Sequence, residues 1–141
     1  MKSHNAVILL AAGSSQRMQS YVEDKILAPI CGKPVILYSV EAFLQCPFIK
    51  EIVIVGRSKE HLEVLKEILD PTFSATSKVA AHFCCGGKER QDSVFAALEM
   101  LRPHLKETAT VFIHDAARPL ISPEQIHALY DETQLHHAAV L

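Results

Sequence analysis

The feature that most constrains this chain is an alternation. Short runs rich in Val, Ile and Leu are separated, again and again, by stretches whose apolar residues fall at helical spacing. Residues 5–11 read as a strand buried on both faces, apolar without a break from Ala6 onward. Residues 51–55, 79–84 and 110–113 repeat that signature, and 138–141 adds a fifth short run. Between them lie four helical patterns. Pro34 opens one with Ile36, Val40, Phe43 and Leu44 on one face, closed by Cys46-Pro47. Ser58 caps a second carrying Leu62, Leu65, Ile68 and Leu69, which Asp70-Pro71 is expected to end. A third comes after Gly86-Gly87, with Val94, Ala97, Leu98 and Leu101 on one stripe. The fourth starts at Ser122-Pro123-Glu124-Gln125, a capping box with proline at the first helical position. Strands alternating with helices predict an α/β fold: a mostly parallel open sheet with helices on both faces. At 141 residues one domain, 1–141, accommodates the whole pattern.

Composition excludes several classes of function. Apolar residues make up 49% and charged residues 21%, ordinary globular values that argue against disorder. The net charge of −2 supplies no global basic field for nucleic acid or an anionic membrane. No apolar run is long enough to span a bilayer, and the start is too short for a signal peptide, so a cytoplasmic location is expected. Cys31, Cys46, Cys84 and Cys85 form no C-x-x-C pair and read as buried, reduced thiols. Eight histidines are scattered, and His136-His137 has no further donor at zinc-ligand spacing.

In open parallel sheets ligands sit beyond the carboxyl ends of the strands. The residues at those ends are therefore informative. After the first strand comes Ala11-Ala12-Gly13-Ser14-Ser15-Gln16-Arg17-Met18, which is neither a Walker A loop nor a G-x-G-x-x-G fingerprint. Its small residues let backbone N–H groups approach an anion, and Arg17 and Lys25 add positive charge, a combination that suits a polyphosphate. After the third strand Gly86-Gly87 leads into a helix N-terminus, with Ser93 in its first turns. After the fourth comes His114-Asp115-Ala116-Ala117-Arg118-Pro119; Asp115 is placed to hold Mg²⁺, and Arg118 to pair with Asp115 or grip a phosphate. Taken singly, each segment also has a plain structural reading: a surface turn, a helix cap, a local ion pair. Their convergence on one rim points to a ligand.

Together, in this order, these segments resemble the 2-C-methyl-D-erythritol 4-phosphate cytidylyltransferase family, and the resemblance covers essentially the whole chain. It implies a Rossmann-like nucleotidyltransferase fold of the GT-A-like kind. It implies transfer of CMP from CTP to the sugar-alcohol phosphate with release of pyrophosphate, in isoprenoid precursor synthesis. Carried over residue by residue, Ala11, Ala12 and Gly13 line the nucleotide site, and Arg17 and Lys25 stabilise charge at the α-phosphorus. Gly87 and Ser93 read the cytosine, Asp115 holds Mg²⁺ and Arg118 serves the acceptor phosphate. The resemblance also implies a homodimer. Ala11-Ala12-Gly13 and Ala116-Ala117 favour this family over ribitol-5-phosphate cytidylyltransferases.

Two local departures stand out. Ser15 replaces a usual second glycine, and Glu23-Asp24 replaces a proline before Lys25, so a less stiff loop is expected. Family chains also continue past this length, which leads to the expectation of a domain incomplete at its C-terminal side: the CTP half of a site, with turnover by these 141 residues doubtful. A catalytically incomplete CTP-binding fragment and a receiver-like binding module are the competing readings.

Overall fold

The computed structural model describes residues 4–13 and 24–141. In chain order the elements are β1 (Asn5–Leu10), β2 (Pro29–Ile30), β3 (Lys33–Pro34), α1 (Val35–Leu44), β4 (Ile49–Gly56), α2 (Lys59–Ser74), β5 (Ala80–Cys85), α3 (Arg90–Leu101), β6 (Val111–Asp115) and α4 (Pro123–His136). Four strands form one sheet in the order β5-β4-β1-β6, and every neighbouring pair is parallel. The α/β sheet expected from the alternation is present. Among the described residues no helix is long and apolar enough to cross a membrane.

Strand alternation divides the core into two layers. Val7, Leu9, Ile52 and Ile54 face one way and pack with Ile36, Val40 and Phe43 of α1, Leu65 and Leu69 of α2 and Ile126 of α4. Ala6, Ile8, Val53 and Val55 face the other way and pack with Ala97 and Leu101 of α3. The near-continuous apolar runs of β1 and β4 are thus explained, because both strands are central and covered on both faces. The chain steps from β1 to β4 to β5 along one face, then crosses beneath through α3 to reach β6. The strand order therefore reverses between β1 and β6, and a crevice opens there at the carboxyl ends.

Three expectations about elements are corrected. Residues 138–141 form no strand. His137 closes α4 in the left-handed conformation (φ 63°), and Val140 and Leu141 beyond it stand exposed with no ladder partner. Pro71 does not end α2, which runs on to Ser74. Pro71 and Glu67 lie on the exposed side, so the carbonyl that proline leaves unbonded meets water, while Phe73 is buried and meets Phe83 edge-on, with ring centroids 6.4 Å apart. The thiols are free, as expected, but Cys31 and Cys85 are exposed and only Cys46 is fully buried. Cys31 (φ 50°) and Gly32 (φ 77°) are the two left-handed residues of the tight turn joining β2 to β3.

Candidate nucleotide site

A cleft of about 670 Å³ opens at the carboxyl ends of β1, β5 and β6, within the size range of small-molecule sites. Ala11, Ala12 and Gly13 line it from β1, and Lys25 from the next described segment. Gly87 and Ser93 line it from the turn into α3, and Asp115 and Arg118 from the turn after β6. Eight residues singled out from the sequence thus surround one space. Arg17 and Ser15 lie outside the described residues.

The sheet's ladder continues into these turns and fixes them. Ala11 N–H donates to Val55 O at 2.8 Å, Gly86 N–H to Gly56 O at 2.7 Å, and Ala116 N–H to Leu10 O at 3.0 Å. Gly86 has no room for a side chain, since a Cβ there meets Ser93 Oγ at 2.5 Å and Ala12 Cβ at 2.9 Å. The glycine lets two rim segments touch. At Gly87 a Cβ meets Asp92 Cβ at 2.2 Å. Ser93 is buried, and its hydroxyl accepts from Gly87 N–H at 3.2 Å and donates to Glu89 O at 3.3 Å. Its hydroxyl therefore clamps the glycine turn to the helix. The start of α3 is capped by a reciprocal Glu89–Asp92 pair, with Glu89 N–H donating to Asp92 Oδ2 at 3.0 Å.

Asp115 meets two guanidinium groups. Arg90 approaches Oδ1 at 3.3 Å through Nη2 and 3.4 Å through Nε, and Arg118 Nε approaches Oδ2 at 3.4 Å. Both guanidinium groups are exposed, Asp115 is half-buried and the contacts are long, so little binding energy is lost when the carboxylate turns to another partner. One accessible carboxylate beside a phosphate-sized space fits Mg²⁺, which takes one or two carboxylates plus phosphate oxygens and waters. Asp115 is the residue that would hold it. The turn below is rigid: the Arg118 carbonyl accepts from Ser39 Oγ at 3.2 Å and from His114 Nε2 at 2.9 Å. Burial pushes the His114 pKa down from its ordinary value.

Sequence reasoning missed the anchor beneath Lys25. Asp24 is buried, and its Oδ2 accepts from His61 Nε2 at 2.8 Å and from Arg57 Nη2 at 2.9 Å, while Oδ1 accepts from Ile26 N–H at 3.3 Å. Arg57 N–H donates to His61 Nδ1 at 3.2 Å, which fixes the imidazole as the Nε2–H tautomer aimed at Asp24. Burial, then the Arg57 charge, push the His61 pKa down, against the pull of Asp24. The replacement of proline by Asp24 does not loosen the described end of this segment; the carboxylate ties it to the turn after β4. The 14–23 part of that expectation lies outside the described residues. No local pattern announces the anchor, because its partners stand 33 and 37 residues away. Arg90 was visible only as part of a motif.

A parallel sheet that reverses its strand order beside a cation-lined, glycine-walled cleft places the chain in the class of open α/β folds, whose ligands sit at the strand ends. The comparisons with known proteins narrow the class. Residues 5–141 match the family model described as 2-C-methyl-D-erythritol 4-phosphate cytidylyltransferase. The enzyme of that name from Lachnospira eligens is 38% identical over 128 residues, covering 90% of this chain and 52% of the relative. The one from Halalkalibacterium halodurans is 34% identical, covering 96% and 56%. A solved 4-diphosphocytidyl-2C-methyl-D-erythritol synthase from Anaerococcus prevotii superposes with a TM-score of 0.71 at 21% identity, covering 95% of this chain and 52% of that one, and so shares the fold. The chain belongs to the 2-C-methyl-D-erythritol 4-phosphate cytidylyltransferase family. It spans about half the length of these relatives.

Proposed function

We propose that this chain carries the CTP-binding half of an enzyme that transfers CMP from CTP to 2-C-methyl-D-erythritol 4-phosphate and releases pyrophosphate. The observation that carries the reading is the single cleft shared by the Ala11-Ala12-Gly13 segment, Lys25, the Gly86-Gly87 turn, Asp115 and Arg118. Family membership supplies the reaction.

In this reading the triphosphate lies along Ala11-Ala12-Gly13, where small residues let the backbone approach closely. Lys25, with Arg17, stabilises the negative charge that builds at the α-phosphorus. Asp115 would hold Mg²⁺, whose charge would offset that of the phosphates. The acceptor's phosphate oxygen attacks the α-phosphorus in line, a new P–O bond forms, and the bond to the β-phosphate oxygen breaks to free pyrophosphate. No covalent enzyme intermediate is needed; positioning and electrostatics do the work. Arg118 is free to leave its long contact with Asp115 and grip the acceptor phosphate. Cytosine is read by the Gly86-Gly87 turn, with Ser93 fixing that turn in place. The whole protein works in the cytoplasm as a homodimer. Leu120 and Leu135, exposed at 91% and 72%, are apolar surface of the kind a partner subunit would cover.

The test is a coupled pyrophosphate assay on the full-length protein with CTP, Mg²⁺ and either 2-C-methyl-D-erythritol 4-phosphate or ribitol 5-phosphate. Turnover with the first acceptor and not the second is expected. Turnover with ribitol 5-phosphate alone would reassign the acceptor, and pyrophosphate release with neither would overturn the reaction.

A further inference from the structure

At the opposite end of the sheet, away from the cleft, three histidines surround a buried glutamate. Glu51 sits near the start of β4, opposite Ala6 of β1 and Ala80 of β5. By strand alternation it shares the α3 face with Val53 and Val55. It is only 5% exposed. Each of its oxygens is held by a separate imidazole: Oε1 by His4 Nε2 at 2.7 Å, Oε2 by His82 Nε2 at 2.6 Å. The rings of His82 and His104 lie 4.9 Å apart, and ligand atoms of Glu51, His82 and His104 all fall within 4.8 Å of one another. The histidines come from the residue before β1, from β5 and from the turn after α3. The topology gathers what the sequence scatters.

We propose that Glu51, His82 and His104, with His4 as an adjacent fourth donor, form a binding site for a divalent transition-metal ion such as Zn²⁺. Imidazole nitrogens with one carboxylate select Zn²⁺, Co²⁺ or Ni²⁺ over Mg²⁺, which prefers oxygen. Tetrahedral zinc with bonds of about 2.0–2.2 Å sets its donors about 3.3–3.5 Å apart. The hydrogen-bonded Glu51–His82 pair opens by under about 1 Å to reach that spacing, and the His104 donor, within 4.8 Å of the others, closes by at most about 1.5 Å. His104 can make that adjustment because it is exposed on a turn. The His4 side chain is 42% exposed and leaves an entry path. Burial alone drives the Glu51 pKa up, yet its bonds to His4 and His82 outweigh this, and the carboxyl stays below its ordinary value, ready as an anionic ligand.

This site is separate from the nucleotide cleft. Glu51 lies five strand residues before Gly56 at the rim, about 17 Å along β4. An ion there ties the chain entering β1 to β4, β5 and the end of α3, so its effect is on stability.

The experiment is a Co²⁺ and Zn²⁺ titration of the purified chain, read by cobalt absorption and by thermal melting. One equivalent is expected to bind at micromolar or tighter concentration. The cobalt spectrum should show the visible bands of a nitrogen–oxygen site without the near-ultraviolet thiolate band, and Zn²⁺ should raise the melting temperature. His104→Ala and His82→Ala should each weaken binding by at least about tenfold. His104 is exposed, so its variant keeps the fold and the comparison stands even where Glu51→Gln fails to fold. Asp115→Asn should leave Zn²⁺ binding unchanged. Undiminished affinity in both histidine variants, a thiolate band pointing to Cys31, Cys84 or Cys85, or no saturable binding at micromolar metal would each overturn the proposal. None of these results bears on CTP.

Discussion

Removing the Asp24 carboxylate tests whether the anchor beneath Lys25 holds that segment against the sheet. Its bond to His61 joins a carboxylate to an imidazole, both nearly out of solvent, and is worth about 1.5–3 kcal/mol. The Arg57 side chain is 38% exposed, so that pair adds only about 0.5–1 kcal/mol. Asp24→Ala should therefore destabilise the chain by about 2–4 kcal/mol, and it leaves the His61 N–H buried without its partner. Asp24→Asn keeps the volume and one acceptor, and should cost roughly half as much. Urea unfolding measures both. CTP titration of the same variants should show affinity lowered by up to about tenfold, the equivalent of ~1.4 kcal/mol, because Lys25 loses its neighbour's tether. A stability loss under about 0.5 kcal/mol for Asp24→Ala, with unchanged CTP affinity, would refute the reasoning.

Other perturbations probe different links. In the full-length protein Arg17→Ala and Lys25→Ala should each lower kcat by about 10²–10³, the range for losing one preorganised stabiliser of transition-state charge, with CTP binding weakened less; near-wild-type kcat for both would contradict the roles. Gly86→Ala forces a methyl against Ser93 and Ala12 and should destabilise by about 1–3 kcal/mol, read by urea midpoint. Acid should weaken the fold in a defined window. His61 and His114 titrate below the ordinary 6.5 when folded, so just below that pH the unfolded chain binds more protons. Their contribution is complete above about pH 6.5 and is lost as the pH falls towards their folded values, with Glu51 adding a second loss below 4.5. Urea midpoints flat between about pH 7.5 and pH 5 would contradict this.

The sheet was legible because β1 and β4 are buried on both faces and read as unbroken apolar runs. Capping chemistry was legible for the same local reason: Ser58 and Ser122 bond His61 N–H and Gln125 N–H within one turn. Residues 138–141 carry the same apolar signature as a strand, but pairing depends on a neighbour, which composition cannot supply. Pro71 was misread because local rules see the missing N–H and not the pocket that Phe73 fills. Around the cleft, the residue types announced where an anion would sit. The supports did not announce themselves: Ser93 is spent on holding Gly87, and Asp24 is held by Arg57 in the distant turn after β4 and by His61 in the first turn of α2. The Glu51 cluster was illegible altogether, since His4 and His82, which bond the carboxylate, lie 47 and 31 residues from it.

Calorimetric titration of the purified chain with CTP at saturating Mg²⁺, with ATP in parallel, tests the central claim most directly. The account predicts one equivalent of CTP bound, weakened at least about tenfold by Lys25→Ala, and ATP bound at least about tenfold more weakly than CTP. No CTP binding at millimolar concentration, or equal binding of ATP and CTP, would contradict it.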